Sequence, residues 1–195
     1  MKFCPECGHA FPETRTWPKV CPGCGHQAWD NPKPVAIVLC AFAGGLLLIS
    51  RNTHLADHGK WAMPGGYVDP FEVPEVTAAR ELREETERRD PVTRALMRPG
   101  IELEPDAFED FKIVGRGSNN QVLLFYVAHG PHIEDTVGRW WRESEADRRS
   151  HPAHEPWNTE VLAVDRFDPS HPARLELAFE THQQMIDRWL ARRAV

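Results

Sequence analysis

No stretch of this 195-residue chain is apolar for the roughly 20 residues that a bilayer span needs. The opening segment, Met1 to Ala10, also lacks the apolar centre of a secretion signal, so a soluble, cytoplasmic protein with no membrane partner is expected. Positive charge is in deficit: 23 Lys and Arg stand against 29 Asp and Glu, a net charge of −6. That balance excludes bulk attraction to nucleic-acid phosphates and leaves room only for a local basic patch. No internal repeat is present, which argues against a solenoid. The length does not suffice for two large domains. It allows one ordinary domain and a small module.

Five cysteines are present, and four of them form two pairs, Cys4-x2-Cys7 and Cys21-x2-Cys24, each followed by glycine. In a reducing compartment, such pairs point to metal rather than to disulfides. Residues 1–30 are short, rich in Cys, Gly and Pro, and carry no continuous apolar stripe, so they need a staple to fold. Four thiolates supply a closed tetrahedral site for structural Zn²⁺, with no open position for catalysis. The alternative, two redox motifs, lacks the βαβ context that such motifs occupy. His9 and His26 adjoin the pairs but are surplus to four sulfur ligands.

Asn31-Pro32-Lys33-Pro34 reads as a stiff linker into a second domain over 31–195. Val35 to Phe42 and Leu46 to Ser50, joined at Gly44-Gly45, read as a buried hairpin, with Cys40 as a core thiol. Trp61 to Val68 is expected to make a tight turn at Gly65-Gly66. Pro74 suits a first helical turn, and Val76, Ala79, Leu82 and Thr86 recur at helical spacing, which predicts a helix from about Pro74 to Glu87. Strands are expected over Phe108 to Gly115, Gln121 to Ala128 and Val161 to Phe167. An amphipathic closing helix carries Phe179, His182, Met185, Ile186, Trp189 and Leu190. His132 to Pro156 is charged and is read as an insertion without an assigned structure. Its Trp140 and Trp141 suit packing or, less commonly, stacking on a base. The order of elements suggests a mixed α/β sandwich.

The chemistry sits in Gly66-x5-Glu72-x7-Arg80-Glu81-Leu82-x-Glu84-Glu85-Thr86. On a helix, Glu81 lies three and four residues from Glu84 and Glu85, so three carboxylates leave one side. Taken alone, acid pairs beside arginine are an ordinary solvated face. Three like charges with one arginine among them are better explained by a multivalent cation. Oxygen ligands favour Mg²⁺ or Mn²⁺, which keep waters and contact substrate phosphates. Seven constrained positions at fixed spacing arise by chance in about one window in 10⁷ to 10⁸.

These residues resemble the Nudix box, and Trp61 to Gly66 is similar to the lead-in of that family. The resemblance implies a Nudix fold, a mixed sheet sandwiched between helices, preceded here by a small zinc ribbon. By position it implies that Glu81, Glu84 and Glu85 hold Mg²⁺ or Mn²⁺, one of them serving also as base. The Gly65 carbonyl becomes a further ligand, Arg80 orients a carboxylate, and Glu72 stands behind the ligating acids. A further acid from a later strand is common in such enzymes. Glu160 is the candidate, against the reading of an exposed strand-end glutamate.

One departure is plain: Glu87-Arg88 stands where the box has Gly followed by an aliphatic residue. That glycine normally ends the helix in a left-handed conformation, which glutamate enters at a cost. The helix is therefore expected to run on or to exit differently.

A ribbon before such a domain resembles the NADH pyrophosphatase group and related hydrolases of NADH, ADP-ribose or FAD. The Ser-Gln-Pro-Trp motif of that group is absent from the corresponding region, Gly115 to Gln121. The expected activity is metal-dependent hydrolysis of a diphosphate in a nucleotide-type small molecule. Removal of a nucleotide cap from RNA and a non-catalytic nucleotide sensor are the rivals. The acidic charge counts against the first and retention of the box acids against the second. Homodimerisation is a family-level expectation.

Overall fold

In the computed structural model the described residues are 1–14, 16–52, 54–117, 120–152, 155–169 and 176–193, with the backbone alone described over 110–117. The chain divides into two compact units, Met1–Lys33 and Pro34–Val195. The first carries two short strands, β1 (Lys19–Val20) and β2 (Gln27–Ala28), paired antiparallel. Among its described residues the buried apolar set is Cys4, Phe11, Cys21 and Ala28.

The second unit is built on β3 (Lys33–Phe42), β4 (Gly45–Arg51), β5 (Trp61–Ala62) and β6 (Gly65–Tyr67), followed by helix α1 (Pro74–Thr86). A small hairpin, β7 (Arg88–Arg89) with β8 (Leu96–Arg98), comes next, then a 3₁₀ turn at Pro105–Ala107. β9 (Glu109–Gly117) and β10 (Gln121–Ala128) form a second hairpin. Helices α2 (Pro131–Glu143) and α3 (Glu145–Ser150), strand β11 (Val161–Phe167) and helix α4 (Glu180–Arg193) complete the order. One mixed sheet runs β11-β4-β3-β10-β9, with β5 beside β4 and β6 beside β3. No helix among the described residues is long and apolar enough to cross a membrane.

β3 explains the layering. Its side chains alternate between two faces, and both faces are covered, so it reads as an uninterrupted apolar run. Ala36, Val38, Cys40 and Phe42 enter one core with Leu82 of α1 and Val137 and Trp140 of α2. Val35, Ile37, Leu39 and Ala41 enter the other with Met185, Ile186 and Trp189 of α4. The expected sandwich is thus present.

Three local expectations need correction. The β3–β4 turn is Ala43-Gly44 rather than Gly44-Gly45, and both residues have positive φ, 45° and 75°. Two such residues make the mirror-image turn whose twist matches a hairpin, and the Ala43 N–H is held by Glu134 at 2.6 Å. On α1 the buried residues are Thr77, Ala78, Leu82, Glu85 and Thr86, while Val76 is exposed and Ala79 half-buried. The stripe is rotated because the helix buries a carboxylate that an apolar count cannot see. The segment read as an insertion without assigned structure contributes helices α2 and α3. Trp140 is buried there, its indole N–H donating to the Pro99 carbonyl at 2.9 Å. Trp141 packs on Phe42, with ring centroids 5.6 Å apart, beneath the Arg148 guanidinium. Both tryptophans take part in packing.

Candidate active site

Pro74 at the first helical position starts α1, and its missing N–H costs nothing there. The helix presents Glu81, Glu84 and Glu85 to a cavity of about 490 Å³, also lined by Gly66, Arg80 and Glu160. Gly65 and Gly66 allow the close approach. A Cβ on Gly65 would lie 2.4 Å from the Ala36 carbonyl oxygen, and one on Gly66 2.2 Å from a Glu81 carboxylate oxygen. The Gly65 N–H donates to Glu85 Oε2 at 2.8 Å, tying β6 to the helix. The Gly65 amide is thus in direct contact with one of the acids.

Arg80 is the hub. Its guanidinium donates to both Glu72 oxygens at 3.1 and 3.0 Å, to Glu81 Oε1 at 2.7 Å and to Glu84 Oε2 at 3.4 Å. Arg80 also donates to the Tyr67 carbonyl at 3.1 Å. Glu72 in turn accepts from the Thr77 hydroxyl at 2.7 Å and from the Asp69 N–H at 3.3 Å. The Arg80 bonds, with help from Thr77 and Asp69, hold the Glu72 carboxyl down at about 2. Glu72 is thus an anion that holds the Arg80 guanidinium through both of its oxygens.

The cavity acids behave in the opposite way. Burial pushes the Glu81 carboxyl up against the pull of Arg80. Glu85 is pushed well above the ordinary carboxylate range, by burial first and then by the charges of Glu81 and Glu160. Glu160 precedes β11, is exposed, and lies near enough to raise both Glu81 and Glu85. These predicted acids therefore share one cavity. A larger cavity of about 750 Å³ opens at the turn end of the β3–β4 hairpin. Its Glu109 and Glu134 are engaged by His129 and by the Ala43 N–H, and none of the box acids lines it.

The missing glycine of the box has a structural answer. Glu87 is extended (φ −68°, ψ 141°), and the helix stops at Thr86 without any left-handed residue. The indole of Trp157 donates to the Thr86 carbonyl at 3.0 Å, and the buried Asn158 amide reaches further carbonyls of the same turn. The Thr86 hydroxyl accepts from the Ile101 N–H at 2.8 Å. Neither Trp157 nor Asn158 was singled out from sequence. Asn before a strand is an ordinary turn residue, and nothing local shows that it meets a helix more than seventy positions earlier.

His182 was likewise read only as part of an apolar face. It is buried on α4, and its Nδ1 accepts the Met63 N–H at 3.0 Å, steadying the lead-in to Gly65. Burial, reinforced by the Arg51 charge, lowers its pKa to about 3. The unfolded chain takes up this proton near the ordinary value of 6.5. Stability contributed by the neutral ring is therefore present above pH 6.5 and lost as the pH falls towards 3. His182→Gln keeps an acceptor without the titration, and urea unfolding should show a shallower loss of stability between pH 6.5 and 4. A slope equal to that of the unmodified chain would overturn this.

In the first unit the Sγ atoms of Cys4, Cys7, Cys21 and Cys24 all lie within 4.8 Å of one another. Cys4–Cys24 and Cys7–Cys21 are 3.7 and 3.5 Å apart. Sulfurs at the corners of a tetrahedron with bonds of roughly 2.3 Å stand about 3.8 Å apart, so the cluster fits a zinc ribbon. Each pair is folded alike: Gly8 N–H to the Cys4 carbonyl at 3.0 Å, Gly25 N–H to the Cys21 carbonyl at 2.9 Å.

Comparisons with known proteins bear on the fold and the family. Over its whole length the chain matches a crystal structure of a NUDIX hydrolase from Nitrosomonas europaea with a TM-score of 0.65, 21% identity and 93% of that chain covered. A MutT NUDIX hydrolase from Burkholderia pseudomallei matches with a TM-score of 0.50 and 21% identity, over 81% of this chain and 98% of that one. At these identities the likeness concerns the fold. A stretch of 52 residues is 44% identical to the CMP-5'-(N-acetyl-N-hydroxy-3-aminopropyl)phosphonate hydrolase of Streptomyces rubellomurinus, covering 27% of this chain and 25% of that protein. The chain thus spans about a quarter of that relative's length. The NUDIX domain model matches residues 30–165, well over half of the sequence, and the chain belongs to the NUDIX domain family.

Proposed function

We propose that the unit from Pro34 onward hydrolyses a diphosphate linkage in a nucleoside diphosphate joined to another moiety, of the class of NADH, ADP-ribose or FAD. Glu81, Glu84 and Glu85 would hold Mg²⁺ or Mn²⁺, with Glu160 and the Gly65 carbonyl as further ligands. One observation carries this reading: Glu85, buried and crowded by Glu81 and Glu160, is an acid whose ionised form a multivalent cation stabilises. When bound, such a cation neutralises phosphate charge and favours deprotonation of water.

The chain's own residues do the rest. Arg80, anchored by Glu72, restrains Glu81 and Glu84 and keeps them on the cavity side. Its guanidinium contacts both acids, so Glu81 and Glu84 would share their charge between Arg80 and the cation they would hold. An ionised acid of the set accepts the proton of the attacking water. The partner is a small nucleotide-type molecule, and the four cysteines hold a structural Zn²⁺ that takes no part in the reaction.

The test is a hydrolysis panel with Mg²⁺ and Mn²⁺ covering NADH, NAD, ADP-ribose, FAD, diadenosine polyphosphates and nucleoside triphosphates. A CMP–phosphonate conjugate is included because the Streptomyces relative is named for one. Metal-dependent cleavage of at least one diphosphate is expected, abolished by EDTA and restored by Mg²⁺. Cleavage of none would move the protein to the class of non-catalytic nucleotide sensors.

A further inference from the structure

We infer that Asn158 is a positioning residue for the acid cluster, a single side chain that closes the end of α1 and sets the start of β11 so that Glu160 shares a cavity with the acids of that helix. This rests on the proposed metal-dependent reading of those acids. The Asn158 Nδ2 donates to the carbonyls of Glu84 at 3.1 Å, Glu85 at 3.4 Å and Glu87 at 2.9 Å. Its Oδ1 accepts the N–H groups of Glu160 and Val161, each at 2.9 Å. The amide orientation follows from the partners: reversed, it would set an oxygen against three carbonyl oxygens and an NH₂ against two N–H donors.

Two of the carbonyls it holds belong to ligating candidates, and one of the N–H groups belongs to another. One planar group therefore fixes the backbone of Glu84, Glu85 and Glu160 relative to one another. The residue around it is pinned as well. Its own N–H donates to the Val161 carbonyl at 3.0 Å, and its carbonyl accepts from Asn52 Nδ2 at 3.1 Å. The side chain does what the absent box glycine does elsewhere, satisfying the last carbonyls of the helix, and it adds a link that a glycine lacks. Glycine could end the helix, but it could not carry Glu160.

The experiment is Mn²⁺ titration of the full chain by electron paramagnetic resonance, with kcat and KM on the best substrate of the panel and thermal unfolding alongside. Asn158→Ala is expected to weaken Mn²⁺ binding by about tenfold or more and to lower kcat, while KM changes little. Asn158→Asp is the isosteric second variant. It keeps the acceptor for Glu160 and Val161, loses the donors to the helix, and is expected to weaken Mn²⁺ binding as well. A lowered unfolding temperature with unchanged Mn²⁺ affinity in both variants would mean a merely structural amide and overturn the inference. Glu84→Gln separates the two claims. Mn²⁺ binding insensitive to Glu84→Gln defeats the metal reading itself. Sensitivity to Glu84→Gln with indifference to both Asn158 variants defeats only the positioning role.

Discussion

Replacing Glu85 with glutamine is expected to lower turnover by a factor of about 10³ while leaving the fold intact. Glutamine has the same shape and retains an oxygen for the Gly65 N–H, which Glu85 accepts at 2.8 Å. What it removes is the charge, and that charge is held at a cost: burial, Glu81 and Glu160 all disfavour it. The metal-free variant should therefore be as stable as the unmodified protein or more so. The sign also gives a pH dependence. A carboxyl raised in the folded state contributes stability that is full below the ordinary value of 4.5 and lost as the pH rises through the raised value. In EDTA, the unmodified chain should lose stability over that window and Glu85→Gln should lose less. Added Mg²⁺ should raise the unfolding temperature of the former and not the latter, since only a ligand bound to the native state shifts it. Glu84→Gln should cut turnover comparably. Turnover equal to that of the unmodified protein in either variant would falsify the assignment of the acids.

The second large effect is expected at Cys21. Among its described residues the first unit buries four apolar side chains, two of them cysteines, which is too little to fold 33 residues. Structural zinc supplies on the order of 10–16 kcal/mol in comparable small modules. Cys21→Ser removes a buried thiol of the four-sulfur cluster, and the expected outcome is loss of zinc from about one equivalent to near none. Slowly exchanging amides over residues 1–33 should become fast, while those of β3, β4 and α1 keep their protection. Amide protection in the first unit that survives metal removal would show that some other interaction holds it.

How far these features could be read in the amino-acid order depends on the range of the forces involved. The start of α1 is legible because Pro74 and the 3–4 spacing act within a few residues. β10 and β11 were placed with their observed limits, since runs bounded by turn residues are local signals. That the three box acids leave one side of a helix was legible from their spacing, and the structure sets them in one cavity. The rotation of α1 was not, because Val76 counts as apolar and Glu85 as polar whatever the fold does with them. Helix α2 had a signal in Ile133, Val137 and Trp140, all buried at helical spacing, but the charges between them obscured it. Ala43 in a left-handed turn position depends on its neighbours in the hairpin and on Glu134 from a distant helix. Trp157 and Asn158 were beyond reach, since their meaning lies wholly in contacts with the end of α1.

That last contact moves a constraint from one place in the chain to another. With Asn158 serving the helix exit, position 87 is released to carry Glu and position 88 to carry Arg, and Arg88 pairs with Asp147 of α3 at 3.2 Å. A mutational scan should therefore find 87 permissive and 158 intolerant.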